Sequence, residues 1–190
     1  MGQYYYPILI EENGTRHHFD KSINGNHGSN KLTEHSWWKN PTMAKICCNI
    51  YKEPMRVFWV GDYCKSAPSV NELTREEMNQ LYEDLKLPKE SLFSFESLFL
   101  DGLYLVNYSK CEYIDCDNYR SHDRDNDGWV VHPLSILTAV GNGQGCGDYS
   151  GTCMDYVGAW AGDIISVEDA PPENFKRLDV YFTEKQGGKA

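Results

Sequence analysis

Clusters of basic residues are missing from this sequence. Its 18 Lys and Arg residues are scattered among 28 Asp and Glu residues, and the net charge is −10. Binding to duplex nucleic acid needs a patch of Lys and Arg that neutralises phosphates, so we expect no duplex nucleic acid among the partners. An acidic balance of this kind usually reflects solubility alone, and an acidic surface can also engage a basic protein.

The sequence also lacks an apolar run long enough to span a membrane. Its start, MGQYYYPILI, has neither the basic region nor the long apolar segment of a secretion signal. We therefore predict a cytoplasmic protein without membrane contact. The seven cysteines are odd in number and show no C-x-x-C spacing, so we predict free thiols and neither a structural zinc nor another cofactor.

Hydrophobic periodicity predicts an α+β fold, with a mainly antiparallel β-sheet and two helices packed on one face. The helices are predicted over about 40–52 and 74–87. Aromatic residues make up 13% of the chain, which favours an ordered core over disorder. We predict a single globular domain over residues 1–183 and a flexible tail over 184–190.

Strand signals occur in four places. Turn residues between β-rich runs predict one hairpin over 4–19 and another over 103–119. A buried strand is predicted over 56–63 and a last strand over 177–182. Because proline cannot donate to a sheet ladder, Pro7 favours an edge position for the first strand.

The pattern W-x-G-D occurs at 59–62 and again at 160–163. The two copies are either equivalent strand ends of a duplicated β unit or a coincidence of composition. In the first case, Asp62 and Asp163 would be presented from turns at one rim of the sheet. Aspartate in such a turn commonly bonds nearby backbone N–H groups.

The densest glycine content lies within the stretch 132–163, where seven of the 16 glycines fall between Gly141 and Gly162. Glycine in such density indicates positive φ angles or close backbone approach, either to a ligand or to another strand. With a tryptophan-rich segment near residue 35, this stretch is our candidate functional surface. The candidate ligand- or partner-binding residues are His35, Trp37, Asp62, His132, Asn142, Gly145, Asp148, Tyr149 and Asp163. The alternative is that these side chains fill the core.

Nucleophilic catalysis would need Cys146 beside a base, either His132 or His35, with Asp148 or Asp163 orienting that base. The glycine-rich segment matches neither G-x-x-x-x-G-K-[ST] nor a G-x-G-x-x-G that opens a helix. Its backbone N–H groups could still hold an anion or a polar ring.

A calcium loop is suggested weakly by Asp123, Asp125 and Asp127, followed by Gly128. These residues match the first positions of an EF-hand loop, but its twelfth position, where a bidentate glutamate belongs, is Leu134. We therefore predict that this acidic loop binds calcium weakly or not at all.

Several motifs together resemble an uncharacterised bacterial and phage family of small cytoplasmic proteins. They are KLTEHSW, WVGDY, YLVN followed by EYID, and HPL through GDY. The resemblance covers most of residues 1–168, and the family pattern includes an N-terminal MGQYY and a glycine-rich stretch ending in GDY. It implies a domain to which no activity or catalytic residue is assigned. Members carry glycine at the position of Cys146, which weighs against Cys146 as a nucleophile.

These observations predict a cytoplasmic binding or regulatory module with a protein partner or a small polar ligand. Immunity, or inhibition of another protein in conflict between bacteria and phages, is the role that the resemblance suggests. The alternative is an enzyme acting on a nucleotide-like or other small polar substrate in a glycine-loop pocket.

Overall fold

A computed structural model describes residues 2–18, 31–86, 98–122 and 130–183, so the predicted tail over 184–190 lies outside the described residues. The strands of these ranges form one sheet. They are β1 (Tyr5–Ile10), β2 (Arg16–His18), β3 (Met55–Gly61), β4 (Tyr104–Asn107), β5 (Glu112–Asp115), β6 (Ala139–Val140), β7 (Ile164–Glu168) and β8 (Lys176–Arg177). Their order is β2-β1-β3-β7-β4-β5-β8, with β6 paired to β3. The pairs β3–β6 and β5–β8 are parallel and the others antiparallel.

Helices connect and cover this sheet. They are α1 (Leu32–His35), α2 (Pro41–Asn49), α3 (Arg75–Asp84), α4 (Cys116–Ser121) and α5 (Pro133–Leu137). Helix α2 begins where the Asn40 side chain accepts a hydrogen bond from the Thr42 N–H, and α3 begins with a capping box between Thr74 and Glu77. Both predicted helices and the α+β class with a mainly antiparallel sheet are therefore confirmed. In the described ranges, none of the helices combines the length and the apolar character that crossing a membrane requires.

The two principal helices lie on opposite faces of the sheet, which differs from the expected packing on one face. Val57 and Trp59 of β3 belong to the buried cluster that contains α2. Phe58 and Val60 belong to a second cluster that contains α3. Successive strand residues point to opposite faces, and the continuous apolar run in β3 gives each face its own core.

Both predicted hairpins are present in the sheet, with changes at their ends. Strand β1 lies between β2 and β3, so the edge position expected from Pro7 is wrong for β1 as a whole. The register with β2 begins at Ile8, and the missing N–H of Pro7 therefore interrupts no described β1–β2 pair. In the second hairpin the strand stops at Asp115, whose side chain accepts from the Asn118 N–H and starts α4. The predicted last strand is reduced to β8.

The two W-x-G-D segments are not equivalent strand ends. Asp62 follows the end of β3, and its N–H donates to the Tyr4 carbonyl over 2.9 Å. Asp163 precedes β7, and its carbonyl accepts from the Val57 N–H over 3.2 Å, near the other end of β3. The two aspartates therefore lie at opposite ends of β3 and share no rim.

Candidate functional site

The Asp148 carboxylate closes the glycine loop that follows β6. Its Oδ2 accepts hydrogen bonds from the backbone N–H groups of Gly143 at 2.7 Å, Gln144 at 2.6 Å and Gly145 at 2.8 Å. Its Oδ1 accepts from the Tyr5 hydroxyl at 2.6 Å. Burial, followed by the hydrogen bond to Asp148, raises the pKa of Tyr5. The N–H groups that could have held a phosphate therefore already donate to a carboxylate of the same chain.

Asn142 and Tyr149 fasten the same loop. The Asn142 side chain accepts from the Tyr149 N–H at 2.8 Å and donates to the Tyr149 carbonyl at 3.0 Å. The Tyr149 hydroxyl lies 2.7 Å from the Thr152 carbonyl and 3.0 Å from the Thr183 carbonyl, and its single proton is shared between these two acceptors. Tyr149 is buried. These contacts give both side chains a structural role.

The close backbone approach inferred from the glycine density occurs within the chain. A Cβ added at Gly141, where φ is +102°, would lie 2.9 Å from the Cα of Cys64. At Gly143, where φ is +94°, an added Cβ would meet nothing within 4 Å. The glycine density indicated close backbone approach either to a ligand or to another strand. At Gly141 the backbone approaches another segment of the same chain.

Asp62 lies near this loop. Its Oδ1 accepts from the Tyr4 N–H at 3.2 Å. Burial raises the pKa of Asp62, and the negative charge of Asp148 adds to the rise. The structure thus brings Asp62 close enough to Asp148 for their charges to interact.

His132 lies in the core. Its Nδ1 accepts from the Leu134 N–H at 3.2 Å and caps α5, while its ring stacks on Trp38 with 5.2 Å between centroids. Its Nε2 is 3.7 Å from the thiol sulfur of Cys47. Burial lowers the pKa of His132 to about 3, so the ring is neutral near pH 7. Trp37 lies beside this region, in an isolated bridge with Val131.

Cys146 is exposed, and its carbonyl accepts from the Gln3 N–H at 2.9 Å. The buried His132 contacts the thiol of Cys47 instead of the Cys146 thiol. The proposed pairing of Cys146 with His132 therefore has no support in the described contacts.

Asp163 holds two loops against β4. It accepts from the side-chain amides of Asn71 at 2.8 Å and Asn107 at 2.7 Å, and its Oδ2 lies 3.1 Å from the Lys110 ammonium. These contacts satisfy the carboxylate inside the fold. They place Asp163 away from the loop around Asp148.

The remaining candidates are only partly described. Helix α1, which ends at His35, begins with the Leu32 N–H donating to the Gly147 carbonyl at 3.1 Å, so the helix abuts the glycine loop. The calcium candidates Asp123, Asp125 and Asp127 lie outside the described residues. Within the residues that are described, no group of three His, Cys, Asp or Glu side chains is arranged to hold a metal ion.

A partly enclosed cavity of about 460 Å³ lies between α4 and residues 177–181. Its polar lining includes Asp115, Asn118, His122, Cys153, Arg177 and Asp179. Tyr181 and neighbouring aliphatic side chains supply the apolar part of the wall. A concavity that combines aromatic and aliphatic side chains with a few polar groups is a candidate recognition site.

Two of the cavity's polar groups are oriented by neighbours. The His122 Nδ1 lies 2.9 Å from the Asn118 carbonyl, and the His122 ring stacks on Tyr181 with 5.0 Å between centroids. The Arg177 Nε lies 2.7 Å from the Asp179 carboxylate, which raises the pKa of Arg177. The cavity therefore presents an imidazole and an ion pair, each with a neighbouring contact.

Sequence reasoning missed this cavity, although the stretch 132–163 contributes Cys153 to it. Treating 112–119 as one strand placed alternate residues on opposite faces of a sheet. The signal that could have corrected this is Asp115, a good helix N-cap directly before a polar segment. A helix beginning there carries the chain to His122 at its other end.

No protein-family model, curated protein or solved structure matches this chain. The resemblance inferred from the sequence motifs stays a prediction.

Proposed function

We propose that this protein is a binding module that recognises a positively charged segment of a protein partner in the cavity between α4 and residues 177–181. The observation that carries the proposal is the presence of two carboxylates, Asp115 and Asp179, in one cavity with the ring of Tyr181. A lysine or arginine side chain satisfies both features, because its charge pairs with a carboxylate and its cationic head packs on an aromatic face.

The charge balance favours a cation over an anion. Arg177 pairs with Asp179 at 2.7 Å and its charge also interacts with Asp115, so one guanidinium faces two carboxylates in the cavity and the balance is negative. Asp115 is held in place because its Oδ1 accepts from the Asn118 N–H at 2.9 Å. The net charge of −10 over the whole chain adds a long-range attraction for a basic partner.

Regulation of another protein, as an inhibitor or immunity factor in conflict between bacteria and phages, is the role we propose for this binding. It is supported by the motif resemblance. The alternative function, an enzyme with a substrate pocket at the glycine loop, gains no support from the contacts. The N–H groups of the loop already donate hydrogen bonds of 2.6–2.8 Å to the Asp148 carboxylate.

The test is a ¹⁵N NMR titration with an acetylated and amidated lysine- and arginine-rich octapeptide, and with a glutamate-rich octapeptide of the same length. We expect the basic peptide to shift the amide signals of Asn118, His122, Cys153 and Leu178. The acidic peptide should leave them unchanged. Equal shifts with both peptides, or no shift with the basic one, would overturn the proposal.

Asp115→Asn is the discriminating variant, because asparagine is also a good N-cap and preserves the start of α4. We expect it to weaken the basic peptide about tenfold, since a hydrogen bond to a charged group contributes about 1.5 kcal/mol or more. Glu53→Gln makes the same charge change at an exposed position outside the cavity lining and should leave the affinity unchanged. Equal affinities for the two variants would contradict the assigned site.

A further inference from the structure

We propose that Arg177 makes the cavity between α4 and residues 177–181 selective for lysine over arginine. The inference rests on the function proposed above and specifies which basic side chain the cavity takes. Arg177 and Asp179 both line the cavity. The selectivity follows from the way in which the protein's own guanidinium uses the carboxylate that an incoming arginine would need.

The Arg177 guanidinium engages both oxygens of Asp179. Its Nε lies 2.7 Å from Oδ1, and its Nη2 lies 3.4 Å from Oδ2. Two N–H groups of one guanidinium directed at the two oxygens of one carboxylate form the paired contact by which arginine recognises carboxylates. An arginine of the partner therefore finds this contact on Asp179 already made within the chain.

Asp115, the other carboxylate of the cavity, offers one open oxygen. Its Oδ1 accepts from the Asn118 N–H at 2.9 Å, and in the described part of the chain its Oδ2 accepts no hydrogen bond. One open oxygen suits the ammonium of lysine, which is a compact point charge. A guanidinium carries five N–H donors, and a single oxygen leaves most of them without an acceptor in a partly enclosed site.

The aromatic wall of the cavity gives a flat group less ring surface to stack on. The His122 ring is stacked on Tyr181, with 5.0 Å between centroids and 27° between planes. Tyr119 approaches the same ring at a tilt of 58°, with 5.4 Å between centroids. A guanidinium gains from lying flat on a ring face. The methylene stem of lysine gains from any apolar contact, which Tyr181 and Leu178 supply.

The test compares two acetylated and amidated octapeptides in which glycine alternates with lysine or with arginine, so that the two carry the same charge. Dissociation constants are measured by ¹⁵N NMR titration of the full chain, at the signals of Asn118 and His122. We expect the lysine peptide to bind at least about fivefold more tightly, which corresponds to about 1 kcal/mol. An arginine peptide that binds equally or more tightly would overturn the selectivity and leave the binding of a basic segment standing. No binding of either peptide would overturn the proposed function, and the selectivity with it.

Arg177→Met tests the cause, because methionine keeps an unbranched side chain and removes every donor to Asp179. Both peptides should bind more tightly, and their dissociation constants should come within about twofold of each other, since an incoming arginine can then pair with both oxygens of Asp179. Lys176→Met makes the same charge change at the neighbouring exposed position outside the cavity lining, and it should keep the preference for lysine. An unchanged preference in Arg177→Met, or an equal loss of preference in Lys176→Met, would overturn the role of Arg177.

Discussion

Asp148 accepts four hydrogen bonds, three from N–H groups of the glycine loop and one from the Tyr5 hydroxyl, and it thereby stabilises the conformation of the loop. We expect Asp148→Ala to lower the free energy of unfolding by about 2–4 kcal/mol, because three backbone donors and the Tyr5 hydroxyl lose a charged acceptor. Urea unfolding measures this change. Asp155→Ala, at an exposed carboxylate, should change the stability by less than about 0.5 kcal/mol. A similar loss in both variants would show that the loop does not depend on Asp148.

Burial of His132 produces a pH dependence with a defined sign. The folded state keeps the ring neutral down to its pKa of about 3, whereas the unfolded chain takes up a proton below about pH 6.5. Stability should therefore fall as the pH decreases from 6 to 4, by up to about 1.4 kcal/mol per pH unit from this residue, and the contribution is absent above about pH 7.

His132→Asn removes the titrating ring and retains an acceptor for the Leu134 N–H. Its stability should be lower near pH 7, and the slope of stability against pH between pH 4 and pH 6 should decrease by up to about 1.4 kcal/mol per pH unit, so that the two proteins converge at low pH. Urea unfolding at several pH values measures both slopes. The same slope in the two proteins would mean that His132 is protonated in the folded state.

The roles of single residues were the least accessible to sequence reasoning. Asp148 and Tyr5 are 143 positions apart, and nothing local to either reveals their hydrogen bond. The sequence singled out the residues at 132–163, but a dense set of polar groups looks the same in a sequence whether it binds a ligand or its own backbone. Only interatomic distances in the folded protein show which of these two roles the polar groups have.

At the scale of elements, the glycine loop offers a matched pair of positions. Gly141 and Gly143 both have positive φ, but only at Gly141 would a Cβ meet the backbone of Cys64. We expect Gly141→Ala to destabilise the protein by about 2 kcal/mol more than Gly143→Ala, because both variants carry the same backbone strain of about 1–2 kcal/mol and one adds a clash. Thermal unfolding of the two variants measures the difference. Equal losses would mean that Cys64 moves away at little cost.

Local signals predicted the elements that local interactions define. The Asn40 cap and the Thr74 capping box mark the starts of α2 and α3, since each motif satisfies donors within a few residues. Strand ends were less predictable. Alternation over 112–119 suggested one strand, while Asp115 diverts the backbone into α4, and β8 is short although its sequence favours a longer strand.

For the whole molecule, the two cores on opposite faces make β3 the central element. Its neighbours are β1 on one side and both β6 and β7 on the other. We expect the amides of Val57 and Trp59 to exchange with solvent at least about 100-fold more slowly than those of β8, because they open only in global unfolding. Hydrogen exchange followed by NMR measures these rates. Comparable rates in β3 and β8 would contradict a shared core around β3.

The face of the sheet that each helix covers could not be predicted. A continuous apolar run shows that a strand is buried on both sides, but it does not show which helix packs on each side. The class of fold followed from hydrophobic periodicity together with turn and capping signals. The assignment of α2 to one face and α3 to the other depends on long-range packing.

The position of β3 also bears on synthesis of the chain at the ribosome. Strand β1 is available to pair as soon as β3 is made, but Ala139, the partner of Trp59 on the other side, is added about 80 residues later, roughly 4–16 s at ordinary translation rates. During that interval the nascent chain carries an open edge on an apolar strand. A product truncated before residue 139 keeps that edge open permanently, which is the condition under which a strand pairs with another chain.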